Sequence, residues 1–542
     1  MGFKLSHLYA PPEVNPVTFK ARSIPFFNPV DIYGRVFFFS WFGFMIAFWA
    51  WYTFPPLLTH TIKYDLHLSP AEVANSNIVS LCATLLVRLV AGPLCDQFGP
   101  RKVFGGLLLV GSIPLGLAPL VQNATGLYIS RFFIGILGGS FVPCQVWSTG
   151  FFDKNVVGTA NALTGGFGNA GGGITYFIMP AVYDALIGGG HTPGRAWRFT
   201  FLVPLAMVIT TGIALILLCP DTPTGKWADR HLHAQQSTIN PEQETRASTN
   251  PSIVDVPGRI TDQPLTSGST SPSIPPTPSK ELEKVPAIPL NLNLDIEAHP
   301  RTQPLPPTKP TATQLPSEVV KPPTLAASLA VALSPQTLFH MLTYMCSFGS
   351  ELAINSVLAS YYAKNFPLLG QTAAANWAAM FGFLNFVARP LGGVVSDLLY
   401  NYCVSAGVGG GKGKNPLWLK KGWVVVCGAV TGVLLIIIGK VDPQEQGVMF
   451  GLVAVMALFL EAGNGANFSL VPHVHPSANG LVSGLTGAGG NLGGVVFAVV
   501  FRFMDGGTNY AKGFWVIGVV NLLVNVGVCW IPPLPKGQAG GR

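Results

Sequence analysis

Charge is what this sequence has least of. Only 10% of its 542 residues are Asp, Glu, Lys or Arg, against about 25% in an average soluble domain. A soluble surface of this size needs far more, which excludes a soluble enzyme and turns an expected three or four globular domains into one membrane domain of many spans. Acidic side chains are scarcest: of 24 in the chain, 11 lie within residues 220–330, so the remaining 431 residues share 13. Cysteine pairing is missing too. The eight Cys include no CxxC and no metal-ligand spacing, so they read as small helix-packing residues, with no metal site and no redox pair. The net charge of +8 does not gather into a basic patch, which argues against nucleic acid as a partner. Nor is there a nucleophile–base pair, a phosphate loop or any cofactor signature, so no enzyme is expected. Residues 1–35 lack the apolar core of a cleavable signal peptide.

What the sequence does have is long apolar runs. A helix needs about 20 apolar residues to cross a bilayer. Twelve stretches qualify, at roughly 36–59, 72–95, 103–122, 127–151, 157–186, 199–219, 335–363, 373–400, 422–439, 447–471, 479–503 and 513–533. The fourth and fifth are rich in Gly and read as broken or tilted. An all-α membrane protein with twelve transmembrane helices in two six-helix halves follows. Its parts are a cytoplasmic tail at 1–35, a first bundle at 36–219, a linker at 220–330, a second bundle at 331–533 and a tail at 534–542. The linker holds 20 of the chain's 46 Pro. That composition cannot bury a core, so a disordered segment is expected. Lys and Arg in the short loops and tails number 13 on one side and 7 on the other. The excess marks the cytoplasmic side and predicts that both termini and the linker lie there.

Two segments recur across the halves. The second stretch reads Arg88-LVAGPLC-Asp96 and the eighth reads Arg389-PLGGVVS-Asp397. The fifth contains Leu163-TGGFGNAGG and the eleventh Leu485-TGAGGNLGG, identical at seven of ten positions, with Asn169 matching Asn491. Matched segments in the same order imply structural repeats, and many secondary transporters place the substrate between such repeats. Eight residues of helix span about 12 Å. With Asp96 at the cytoplasmic end of its span and half a hydrocarbon core measuring about 15 Å, Arg88 lies near the midplane. Arg389 lies at the same depth in the other half.

An arginine at that depth costs about 2.5–3.5 kcal/mol. Two guanidinium groups facing each other repel unless an anion lies between them, and their planar forks suit an oxyanion. The competing reading pairs each Arg with a helix carboxylate, for which Glu351 and Glu461 are the deep candidates. Most of the glycines let helix backbones approach closely. Asn169 and Asn491 add an amide to those surfaces, either as an anion donor or as an interhelical hydrogen bond. Gly92, Asp96, Gly99, Arg101 and Lys102 have the spacing G-x3-D-x2-G-x-R-K, read as a conformational latch in which Asp96 braces a helix end. Asp397 is the equivalent brace, without the Gly-x-Arg-Lys tail. Tyr344 and Phe348 are four apart and share a helix face. His473 and His475 fall after the tenth stretch and read as a solvated loop.

The latch motif and the six-plus-six plan resemble the major facilitator superfamily. The two Gly-rich runs with Asn169 and Asn491 resemble the signatures of its nitrate/nitrite porter family. The phrase Phe48-Trp-Ala-Trp and the long linker look most like the filamentous-fungal nitrate transporters of that family. The resemblance implies a nitrate site clamped by Arg88 and Arg389. Asn169, Phe48, Phe141, Tyr344 and Phe348 would line it, and Asn491 would belong to the second signature. It also implies alternating access in the plasma membrane, proton symport, and nitrite as a further substrate. Nitrate entry opposes an inside-negative potential by about 2.3 kcal/mol per 100 mV, so uptake needs protons or an exchanged anion. Glu351 is the proton-coupling candidate, with a protonated structural role as the alternative. A nitrate/nitrite exchanger and a nitrate sensor with little flux are the rival functions. For a sensor, the Ser271-Pro272 and Thr277-Pro278 pairs would serve as kinase sites in the linker, which otherwise reads as a passive tether.

Overall fold

A computed structural model describes residues 5–16, 18–58, 61–153, 156–227, 325–405, 416–475, 478–507 and 509–535. Most of the expected linker, both of its Ser/Thr-Pro pairs and the end of the C-terminal tail fall outside the described residues. What is described is almost wholly helical. Spans one to six are Ile32–Leu58, Ala71–Phe98, Pro100–Leu120, Ala124–Phe151, Val157–Gly188 and Pro193–Leu218. Span seven is Pro335–Asn365. Spans eight to twelve are Ala373–Cys403, Leu417–Val441, Gln446–Val474, Asn479–Phe503 and Tyr510–Gly527.

The helices start where local chemistry tells them to. Asp31 caps the first, accepting from Tyr33 N at 2.8 Å. Ser69 and Glu72 form a reciprocal capping box ahead of the second, with Pro70 at its first position. At the seventh, Ser334 accepts from Thr337 N and Pro335 again takes the first position, without the reciprocal bond. Gly99 takes φ +91° between the second and third spans, where a side chain would also meet Trp227 at 2.9 Å.

Among the described residues, eleven helices are long and apolar enough to cross a membrane. The twelfth, span seven, has the length at 31 residues. It lacks the hydropathy because Thr343, Ser347, Ser350, Glu351 and Asn355 interrupt its apolar surface. All five are buried, so the helix turns its polarity inward. The Gly-rich fourth span is broken by a 3-10 segment, Gly135–Ser140, and the fifth at Ala170. The eighth breaks as well, between Phe383 and Asn385, which composition did not suggest. A short helix, Leu325–Ala332, falls in and just past the end of the expected linker.

Two helix pairs lead the contact between the halves. The second span packs on the eleventh and the fifth on the eighth, with the seventh against the eleventh behind them. The tenth helix runs to Val474. This corrects the loop expected at His473, which is buried inside that helix and lies 5.9 Å from the Tyr400 ring.

Candidate functional site

Arg88 and Arg389 are both shut away from solvent, at 0% and 1% exposure. Arg88 donates from Nε to Gly138 O at 2.9 Å and from Nη1 to Gly487 O at 3.1 Å. Its Nη2 has no partner. The break in the fourth span presents the Gly138 carbonyl; Gly487 belongs to the opposite half. Arg389 donates from Nη2 to the Tyr344 hydroxyl at 2.7 Å, and its Nη1 makes no hydrogen bond.

Three rings separate and orient the two cations. Tyr344 and Phe348 stack at 5.0 Å and 8°. Phe141 of the other half lies parallel to both, at 6.1 and 6.3 Å. The Arg88 guanidinium carbon is 4.9 Å from the Phe141 centroid and 5.1 Å from Phe348; that of Arg389 is 5.5 and 5.9 Å from the same two. Both arginines therefore converge on one aromatic stack, in a setting where charged hydrogen bonds gain strength.

The Gly-rich repeats give each arginine its space. A methyl group on Gly487 would sit 3.3 Å from Arg88 Cδ, and one on Gly165 would sit 2.9 Å from Arg389 Nε. These two glycines hold the same place in their repeats. Each half thus lends a bare helix backbone to the arginine of the other. Asn491 donates to Gly487 O at 3.1 Å and leaves Oδ1 without a partner, and the whole amide of Asn169 is buried without one. Phe48 stands one ring further out: it meets Phe44 at 5.5 Å, and Phe44 meets Phe141 at 5.3 Å.

Glu351 is within ion-pair distance of one of the two arginines, 3.9 Å from Arg389 Nη1. It accepts from Asn385 Nδ2 at 3.0 Å and Asn464 Nδ2 at 2.9 Å. Asn464 also donates to Glu461 at 3.1 Å. Sequence reasoning missed Asn385, Asn464 and Phe468, whose ring stands edge-on to Phe141 at 4.7 Å. Asn385 could have been flagged as one turn before Arg389, and Asn464 as three residues after a buried Glu.

At one end of the interface, Asp96 accepts from Gly480 N at 3.2 Å and Leu481 N at 3.0 Å, capping the eleventh span. Asp397 accepts from Thr159 N at 2.7 Å and from its hydroxyl at 2.8 Å, at the start of the fifth. Lys420 pairs with Asp397 at 2.7 Å. Gly92 packs on Gly480, where a methyl group would lie 2.6 Å from the carbonyl oxygen. Arg101 binds Asp221 at 2.6 Å and the Cys219 and Ile216 carbonyls, tying down the end of the sixth span. Lys102 is exposed.

The sequence profile of the Major Facilitator Superfamily matches residues 40–411. The chain is 35% identical to Elsinochrome transporter 1 of Elsinoe fawcettii over 98% of its length and 99% of that protein. It is 30% identical to High-affinity nitrate transporter 2.3 of Oryza sativa subsp. japonica, covering 85% of this chain and 70% of that one. It is 26% identical to Nitrate/nitrite transporter NrtP of Nostoc punctiforme, covering 92% of each. Among solved structures, the proton:xylose symporter XylE superposes with a TM-score of 0.59 at 13% identity, covering 92% of this chain and 95% of that one. At that identity the likeness is one of fold.

Proposed function

The chain belongs to the major facilitator superfamily, and from that premise we propose that it imports nitrate, and nitrite with it, across the plasma membrane by proton symport and alternating access. The arginine pair carries the reading. Two buried guanidinium groups from matched helices face one aromatic stack, each with a nitrogen that makes no hydrogen bond, and among the described residues a carboxylate comes within ion-pair distance of Arg389 and none of Arg88. That chamber has an uncompensated positive charge and spare donors. A planar monoanion answers both. The names of the rice and Nostoc relatives support nitrate as that anion.

Glu351 supplies the coupling. While ionised it offsets the charge of Arg389; once protonated it leaves Arg389 free to take the anion. Proton and nitrate then load together. Asp96 and Asp397 act as latches at the cytoplasmic end, each holding a helix N-terminus of the other half. Releasing both lets the halves rock apart. With both termini cytoplasmic, the site faces outside when the latches are shut.

A second reading follows from the Elsinoe relative, whose name gives elsinochrome as cargo. The close walls at Gly165 and Gly487 favour the small anion. Nitrate-evoked current in a voltage-clamped cell tests the choice. An inward current that grows with outside acidity is expected, since more than one proton must enter per nitrate. Silence, with uptake restored by loading the cell with nitrite, would mean exchange; no nitrate flux in either mode would sink the nitrate reading.

A further inference from the structure

A third buried arginine lies away from the latch end and takes no part in the chamber described above. Arg131 of the fourth span is 5% exposed. Its Nη1 donates to Ser76 Oγ at 2.8 Å and Asn77 Oδ1 at 2.5 Å, both neutral, and its Nε has no partner. Among the described residues no carboxylate comes within ion-pair distance of it. A buried cation with only neutral acceptors is costly unless something anionic visits it.

Arg131 also opens on a pocket. Trp51, Tyr52, Asn77 and Leu81 line it from the first half, and Leu352 and Ser356 from the second. Depth can be read along two helices. On the second span Asn77, Leu81 and Arg88 follow in that order, so Asn77 stands about 16 Å from Arg88 on the side away from Asp96. On the seventh span Ser356, Leu352 and Phe348 descend in step. Leu81 and Leu352 both pack against Gly494, at 3.5 and 3.0 Å from where its methyl group would be. Two leucines, one from each half, thus stand between this pocket and the arginine chamber.

We propose that Arg131 is the charged end of a second, outer docking site for a small inorganic oxyanion. The anion waits there and passes the Leu81–Leu352 pair when the halves move. This rests on the import reading for its direction, since an importer needs its anion gathered on the side away from the latches. The guanidinium fork supplies the recognition, and the Leu pair keeps the two sites separate. Because the pocket is lined from both halves, rocking changes its size.

Trp51 sits in the wall, its indole nitrogen donating to Ser80 Oγ at 2.7 Å, and gives a probe that does not need transport. The experiment titrates the purified full chain with sodium nitrate and reads the fluorescence difference between wild type and Trp51→Phe. Saturable quenching of Trp51 is expected in wild type. It should survive Arg88→Ala, which disables the inner site, and vanish in Arg131→Gln. In uptake assays Arg131→Gln should raise KM about tenfold and leave kcat within about twofold, with Arg131→Lys recovering part of the loss. Should Arg131→Gln fail to fold, Ser356→Phe fills the pocket without touching the arginine and is expected to abolish the same quenching. Saturable Trp51 quenching that persists in Arg131→Gln or Ser356→Phe, or its loss in Arg88→Ala, or its absence from wild type, overturns the docking site. Trp51 quenching in a protein that moves no nitrate overturns the import reading and leaves the docking site standing.

Discussion

Arg88 and Arg389 hold matched places, each eight residues ahead of an aspartate, yet their surroundings differ electrically. Arg88 is tied to two backbone carbonyls and meets no carboxylate; Arg389 is tied to a tyrosine hydroxyl and faces Glu351 at 3.9 Å. The latches differ in the same sense. Asp96 takes two backbone N–H groups, whereas Asp397 adds a buried lysine at 2.7 Å. The repeat therefore keeps the backbone geometry and leaves the charge partners free to diverge. In these matched motifs the first half offers a cation held by carbonyls, whereas the second sets both its arginine and its latch aspartate beside an opposite charge.

The largest effect should come from the unequal latches. Asp397→Asn leaves Lys420 buried without its counter-charge, which costs about 3 kcal/mol or more in comparable cases. Asp96→Asn weakens the interaction of a carboxylate with a helix N-terminus, which is worth about 1 kcal/mol. The Tm of the purified variants should therefore fall far more for Asp397→Asn. Equal losses would mean that Lys420 adds nothing and that the two latches are the same device.

Next come the arginines themselves. Arg88→Lys keeps the charge and loses the fork, so nitrate affinity should fall roughly 30-fold with the protein still reaching the membrane. Arg389→Lys should also lower affinity, by roughly tenfold, because it too keeps the charge and loses the fork. Binding measured on purified protein separates the two. A lysine at position 88 with wild-type affinity would end the bidentate model. Gly165→Ala is a subtler probe: its new methyl group presses on Arg389 Nε, so it should weaken binding without altering any charge.

The fold was legible because its signals are long and repeated. Apolar stretches located all twelve spans, the seventh at 335–363 included, although its buried polar residues leave it below the hydropathy of the other eleven. The matched motifs also led to the arginines, because a charge at mid-span and a recurrence are both visible in a linear sequence. Pairing across the halves was not visible. Nothing in the spacing says that Gly487 receives Arg88, that Lys420 joins Asp397, or that Asn385 and Asn464 hold Glu351. Those contacts depend on which helix faces which, and hydropathy with little amphipathic contrast does not set rotation. His473 was misread because the tenth apolar stretch was taken to end at 471, next to Pro472. Here it stands in the last turn, and the helix continues two residues further.

The smallest effect is also the most discriminating. If Glu351 acts on Arg389 and not on Arg88, the two arginines must respond differently to its loss. Glu351→Gln removes the negative charge and keeps the side chain's size. Its own effect on nitrate KM should be modest, within about threefold, and the dependence of KM on outside pH should flatten, since the variant is fixed in the neutral form. Combined with Arg88→Lys, it should add its effect independently. Combined with Arg389→Lys, it should depart from additivity by about 0.5 kcal/mol or more, as residues in contact do. Two cycles with equal coupling would mean that the carboxylate serves the chamber as a whole. Coupling confined to Arg389 would tie the proton to one arginine and leave the other as the anchor.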